Sequence, residues 1–229
     1  MRAMIMAAGK GKRLRPLTET VPKPLITVHD KPLIVYHLEN LKRANIQEII
    51  INVSHLGHKI EEALGNGESF GLTIAYSKES EPLEVGGGIL QALPLLGNEP
   101  FMVINGDIFT DFPLSNLPQQ IQNLGHLVMV PNPSHHPKGD FGLNGNLIID
   151  AKEEKKMTYS GIAILHPKLF EKSPPGILPL APILKTAIEQ KALTGEEYTG
   201  LWSDVGTLER LEKLRTDREC LLNSFNAPR

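Results

Sequence analysis

Short apolar runs of strand length recur along the chain and alternate with stretches whose apolar residues repeat at helical spacing. That is the pattern of a mostly parallel sheet covered by helices on both faces. The runs predict strands over 3–8, 48–53, 72–77, 101–105 and 127–131. Between them, Pro32 is placed to start a helix with Ile34, Leu38 and Leu41 on one face, and 56–64 reads as a second helix. A third begins near Gly86, carries Ile89, Leu90 and Leu93, and is expected to stop at Pro94. After Pro131 the pattern changes: Pro133, Pro137 and Gly139 break regular structure, and Asn144-Gly145-Asn146 offers a tight hairpin turn. This part reads as an insertion beside the main sheet. A strand over 157–165, a helix over 180–192 and a closing helix over 207–222, with Leu208, Leu211 and Leu214 turned inward, complete the pattern.

The expected fold is therefore α/β, a Rossmann-like and mostly parallel central sheet with helices on both faces plus a small insertion. One domain over 1–229 divides into a main part to about 131, the insertion over about 132–203 and the closing helix over about 205–223. With 229 residues and 41% apolar content there is enough material for one large core and not for a second. The single cysteine, Cys220, has no intramolecular partner, and the N-terminus lacks a long apolar run with a cleavage site, so a cytoplasmic protein is expected. No segment approaches the roughly 20 apolar residues that cross a bilayer, and no basic block is dense enough for nucleic acid, so neither membrane nor nucleic acid is an expected partner. A monomer or weak homo-oligomer is expected.

Charge changes the picture only at one end. The formal net charge is -2, yet Arg2, Lys10, Lys12, Arg13, Arg15 and Lys23 gather within the first 23 residues. Local cations against a near-neutral background indicate a site for an anion. They lie on a loop that follows the first strand directly, where ligands sit in an open parallel sheet. Gly9 and Gly11, next to Ala8, let backbone amides approach phosphate oxygens; the Arg13 guanidinium can grip two such oxygens, and Lys10 and Lys12 add charge. Leu14 stands where a dinucleotide fingerprint needs glycine, and no Gly-Lys-Ser/Thr ends the loop as a P-loop would. Lys23, between Pro22 and Pro24, is expected to project from a stiff extended segment.

A second constellation is Phe101-Met-Val-Ile-Asn105-Gly-Asp107, an apolar strand ending in a polar turn at the same sheet edge. A carboxylate among phosphates is normally reconciled with them by Mg2+, which binds one or two carboxylates and completes its octahedron with waters and phosphate oxygens. In the irregular second half, Gly139-Asp140-Phe141-Gly142 and Tyr159-Ser160-Gly161-Ile162 put short polar groups beside flexible backbone, which suits sugar hydroxyls; Asp140, Ser160 and Gly161 are the candidates. Adjacent His135 and His136 point in different directions and have no third partner at ligand spacing, so no zinc site is read from them.

The string Ala7-Ala8-Gly9-x-Gly11-x-Arg13-Leu14-x-Pro16-Leu17-Thr18, followed by Pro22-Lys23-Pro24-Leu25, resembles the signature of nucleotidyltransferases that act on sugar 1-phosphates. Lys12 departs from it, since members often carry threonine or serine there. The resemblance implies that Lys23 neutralises phosphate charge in the transition state and that Asp107 binds the metal. Trp202-Ser-Asp204-Val-Gly-Thr207 resembles a late segment of the same family and implies Asp204 as the second metal carboxylate. Glu81-Pro-Leu-Glu-Val-Gly86-Gly-Gly88 corresponds to the segment where a side chain and a glycine backbone read the nucleobase, which assigns Glu81 and Gly86. A carboxylate only accepts, so Glu81 could take the N3 proton of uracil or the N1 and N2 protons of guanine, and the base stays open. Asn105 is assigned to the sugar by the same resemblance.

Taken together, 65–70, the Glu81 segment and Asn132-Pro-x-His-His-x-x-Gly-Asp-Phe141 resemble the bacterial uridylyltransferases of N-acetylmuramate 1-phosphate within that family. This implies nucleotidyl transfer from a nucleoside triphosphate, UTP first, to a sugar 1-phosphate with release of pyrophosphate, Mg2+ as cofactor and a place in peptidoglycan recycling. Its alternatives are guanylyl or cytidylyl transfer to another sugar or alcohol phosphate and, more distantly, a non-catalytic nucleotide-sugar sensor.

Overall fold

A computed structural model describes residues 1–152 and 155–217. The strands are β1 Ala3–Met6, β2 Thr27–Val28, β3 Lys31–Pro32, β4 Glu48–Val53, β5 Thr73–Lys78, β6 Phe101–Asn105, β7 Ile108–Thr110, β8 Gly125–Val130, β9 Phe141–Asn144, β10 Leu147–Ile149, β11 Lys156–Leu165, β12 Leu193–Glu197 and β13 Trp202–Asp204. The helices are α1 Leu33–Arg43, α2 Gly57–Leu64, α3 Glu84–Leu96, α4 Leu180–Glu189 and α5 Leu208–Thr216.

Nine strands form one sheet in the order β5-β4-β1-β6-β11-β8-β12-β10-β9. The expected α/β sheet is present, and its parallel pairing runs through β5, β4, β1 and β6. Beyond β6 the sheet is mixed: β11 is antiparallel to both β6 and β8, and β12 is parallel to β8. The hairpin β9–β10 turns through the two residues Gly145-Asn146, with Gly145 at φ 59°. It extends the edge of the main sheet instead of standing beside it, because β10 pairs with β12 and β9 with β11.

Strand alternation sorts the core into two layers. Ile5, Ile49, Ile51 and Ile104 face Ile34, Leu38, Leu41, Ile60 and Leu64 of α1 and α2. Met4, Ile50, Phe101 and Val103 face Ile89, Ala92, Leu184 and Ile188 of α3 and α4. Both faces are covered, so the strands read as unbroken apolar runs. A third cluster joins Leu14, Ile26, Phe109, Val205, Leu211 and Leu214. It packs the basic loop against the beginning of β7 and against α5, so residues far apart in sequence meet at one end of the sheet.

Three expectations are corrected. Pro94 does not stop α3, which continues to Leu96; so close to the end the proline removes one backbone bond, and Gly97 N–H closes the last turn on the Leu93 carbonyl at 2.9 Å. Leu208 is 41% exposed, because it opens the first turn of α5 beyond the apolar cluster that takes Leu211 and Leu214. Lys23 is not extended: Lys23–Leu25 make one 3-10 turn held by Leu25 N–H to Pro22 O and Ile26 N–H to Lys23 O, bonds that need no N–H from Pro24. The part of the closing helix expected beyond 217 lies outside the described residues.

Candidate active site

The carboxyl ends of β1, β4, β5 and β6 open into a cavity of about 320 Å³. From the basic loop, Ala8, Gly9, Gly11, Lys12 and Arg13 line it; Lys23, Asn105 and Asp107 line the same space. The loop is shaped by its own residues. Gly11 adopts φ 61°, and a Cβ there would press on the Thr18 methyl, whose hydroxyl donates to the Gly11 carbonyl at 2.9 Å. Gly9 has open space around it, so a ligand can approach its backbone. Leu14, fully buried, anchors the turn Lys12–Leu14 that carries Arg13.

Lys23 Nζ lies 2.5 Å from Asp107 Oδ2, joining the two motifs directly. Below them, buried His37 of α1 has an Nε2 without a hydrogen-bond partner. Burial pushes its imidazole down to about 4, against the opposing pull of the Asp107 carboxylate and a hydrogen bond with Ile108 backbone. His37 is thus neutral beneath a charged site.

Asp204 reaches the same end through strand pairing. It stands opposite Ile108 in the β13–β7 ladder, and Val205 N–H donates to the Asp107 carbonyl at 2.7 Å. Its carboxylate does not line the cavity, although Gly206 does. Asp204 Oδ1 lies 2.8 Å from His135 Nε2 and Oδ2 lies 3.0 Å from Arg210 Nη2. Oδ1 is buried and has no aligned hydrogen bond. Among the described residues no three His, Cys, Asp or Glu side chains gather into a metal cage. Asp107 lines the cavity and Asp204 Oδ1 is buried without a hydrogen bond; such oxygens suit Mg2+, an ion that takes few protein ligands when phosphates complete its shell.

The segment expected to read the nucleobase is divided between two recesses. Glu81 is exposed and faces a shallower recess with Lys10, Gly11 and Lys12. Glu79, two residues earlier, lines the main cavity with Asn52, Pro82, Glu84 and Val85. It is 5% exposed, accepts from Asn52 Nδ2 at 2.6 Å and from Leu83 N–H at 2.9 Å, and Asn52 in turn accepts from Ala7 N–H at 2.7 Å. Its sequence signal was available, since it directly follows β5 at the carboxyl end of a parallel strand. Gly86 is turned away from the cavity: a Cβ there would meet Leu178 O at 2.7 Å. Glu84 adopts φ 63°, left-handed backbone that is uncommon for a residue with a side chain.

Among the residues expected to meet a sugar, Gly161 at φ 83° sits in the register shift of β11 against β8, and a Cβ would collide with the Asn105 amide. Ser160 is buried; its hydroxyl accepts from Ile162 N–H, and its carbonyl accepts from Trp202 Nε1–H at 2.9 Å. Asp140 Oδ2 accepts from Tyr159 N–H at 2.8 Å, while Oδ1 lies 3.1 Å from His136 Nε2. Burial, reinforced by Asp140, pushes the Tyr159 phenol far above its ordinary value. The structure therefore brings Asn105 and Gly161 together, and it holds Asp140 and Ser160 outside the lining of the main cavity.

Residues 2–219 match the model of the nucleotidyl transferase family. The chain is 46% identical over 224 residues to N-acetylmuramate alpha-1-phosphate uridylyltransferase of Neisseria meningitidis serogroup B, covering 93% of this chain and 96% of that protein. It is 34% identical to mannose-1-phosphate guanyltransferase of Kluyveromyces lactis over 90% of this chain, and spans 61% of that longer protein. A structure described as glucose-1-phosphate thymidylyltransferase from Bacillus anthracis in complex with sucrose superposes with a TM-score of 0.85 at 22% identity, covering 100% of this chain and 98% of that one. UDP-glucose pyrophosphorylase with UDP-glucose gives 0.77 at 23%, covering 93% and 96%. At those identities the two structures establish the fold alone.

Proposed function

The chain belongs to the nucleotidyl transferase family, and on that premise we propose that it transfers the uridylyl group of UTP to N-acetylmuramate 1-phosphate, forming UDP-N-acetylmuramate and pyrophosphate. The observation that carries this reading is the convergence of Gly9, Gly11, Lys12, Arg13 and Lys23 with Asn105 and Asp107 around one cavity at the carboxyl ends of the strands. The choice of uracil and of this sugar rests on the identity to the Neisseria enzyme along nearly its whole length. The product fits a cytoplasmic role in peptidoglycan recycling.

In the reaction, an oxygen of the sugar 1-phosphate attacks the α-phosphorus of UTP in line. A P–O bond forms to the sugar phosphate, the bond from the α-phosphorus to the bridging oxygen breaks, and the electron pair leaves with pyrophosphate. The nucleophile is already anionic at neutral pH, so no general base is required and catalysis reduces to alignment and charge stabilisation. Amides at Gly9 and Gly11 hold the triphosphate. Arg13 and Lys12 meet the departing pyrophosphate, and Lys23, now beside Asp107, stabilises charge at the α-phosphate. When bound by Asp107 and Asp204, Mg2+ supplies neutralisation of the charge on the reacting phosphates.

For the base, Glu79 accepts the N3 proton of uracil, and the first turn of α3, which has no side-chain cap, offers backbone N–H groups to the flanking carbonyls. Guanine presents an equivalent N1 proton beside O6. Guanylyl transfer to mannose 1-phosphate is accordingly the second reading, favoured by the guanyltransferase relatives.

Pyrophosphate release with Mg2+, each nucleoside triphosphate and a panel of sugar 1-phosphates tests both. Fastest turnover is expected with UTP and N-acetylmuramate 1-phosphate. Faster turnover with GTP and mannose 1-phosphate establishes the second reading, and no release with any pair defeats both.

A further inference from the structure

His135 and His136, which the sequence left without a role, each engage a carboxylate that the sequence singled out, Asp204 and Asp140. The segment bearing them is built for it. Consecutive turns are closed by His136 N–H to Pro133 O at 2.9 Å and Gly139 N–H to His136 O at 3.3 Å. Asn132 fastens both turns, donating to Pro137 O and Lys156 O and accepting from the Thr158 hydroxyl. Gly139 at φ 62° leaves room for that amide, since a Cβ would lie 2.7 Å from Asn132 Oδ1. The turns send neighbouring imidazoles to different places, His135 to Asp204 on β13 and His136 to Asp140 before β9.

We propose that His135 is a removable strap on Asp204, occupying space beside Oδ1 that a divalent cation needs, so that cation binding frees the turn 133–139 from β13. The proposal rests on Asp204 being a metal carboxylate. A ring nitrogen 2.8 Å from Oδ1 takes up one side of that oxygen and competes there with a cation that needs an Mg–O bond of about 2.0–2.1 Å and room for its waters. The contact lacks hydrogen-bond alignment, so it blocks the oxygen without holding it strongly. Of the two partners of Asp204, His135 is the one free to leave: its side chain is 37% exposed on a turn, whereas that of Arg210 is 16% exposed on a helix. Because His136 is the next residue, release of His135 also loosens the His136–Asp140 contact, which links cation loading to the sugar side.

The test is Mg2+ binding to the full chain without nucleotide or sugar, followed by calorimetry and by the fluorescence of Trp202, the only tryptophan and two residues from Asp204. His135→Ala should bind Mg2+ about three- to tenfold more tightly than the natural chain, the range expected when one modest polar contact is removed from the competing state. Asp204→Asn, measured in parallel, should bind it more weakly. Unchanged or weaker binding in His135→Ala, with binding lost in Asp204→Asn, overturns the strap and leaves the metal assignment standing. Undiminished binding in Asp204→Asn removes Asp204 from the metal site and with it both readings of this residue. In the natural chain, Mg2+ should also speed hydrogen exchange at the His136 and Gly139 amides; slower exchange there overturns the strap.

Discussion

At the scale of single residues, the site is defined by how its carboxylates are held. Asp107 is restrained by Lys23 at one oxygen and by its backbone bond to Val205, so removing its carboxylate alters charge with little loss of packing. Asp107→Ala and Asp204→Ala are expected to reduce turnover on the order of a thousandfold or more while the chain stays folded, measured by pyrophosphate release beside circular dichroism. An unchanged rate in either removes that residue from the reaction. Glu79 is a different case, because its oxygens also satisfy Asn52 and Leu83. In Glu79→Gln one acceptor becomes a donor, which faces either the Asn52 amide or the N3 proton of the base. The KM for the nucleotide should rise about tenfold with a smaller change in kcat, as steady-state kinetics at saturating sugar phosphate would show. Glu81→Gln should leave KM nearly unchanged, since that side chain lies outside the cavity.

Between elements, the glycine run of α3 shows what a sequence can and cannot disclose. Its presence beside a strand end was legible, as were the strands that converge on the cavity, because their apolar runs are uninterrupted and buried on both faces. What each glycine accommodates depends on partners elsewhere in the chain, some ninety residues away for Gly86 and Gly87, which local pattern does not encode. Gly87 N–H donates to Leu178 O, Leu178 N–H donates to Leu83 O, and a Cβ on Gly87 would fall 2.2 Å from Gly176 O. Gly88 instead makes room for the Glu79–Asn52 pair. The run thus docks α3 on 176–179 and fixes Glu84 and Val85 in the cavity wall. Gly87→Ala must push two backbones apart, and a loss of about 1–3 kcal/mol is expected in urea unfolding, with weaker nucleotide binding. Stability within a few tenths of the natural chain would show that the docking is not tight. The short strands β7, β12 and β13 were missed for a related reason: three to five residues with charged or polar members carry too little periodicity to stand out.

The whole molecule is held together at its reactive end by the cluster of Leu14, Phe109, Val205 and Leu211, which brings the first and last motifs of the sequence to one place. The separate motifs were readable; their convergence is a property of the packed core. That packing also buries His37 in the neutral form, which makes the fold sensitive to acid. In the unfolded chain this histidine takes up a proton near 6.5, and in the folded chain only near 4. Between those values the unfolded state binds more protons, so stability falls as pH falls. The contribution is complete above pH 6.5 and is lost progressively down to about pH 4, a total of roughly 3 kcal/mol for a shift of this size. Urea midpoints measured without metal between pH 7.5 and pH 4 should show that decline, and His37→Gln should lack this part of the slope whatever its absolute stability. An equal slope in both chains would mean that His37 takes up its proton in the fold as readily as in the unfolded chain, and that its burial does not hold it neutral.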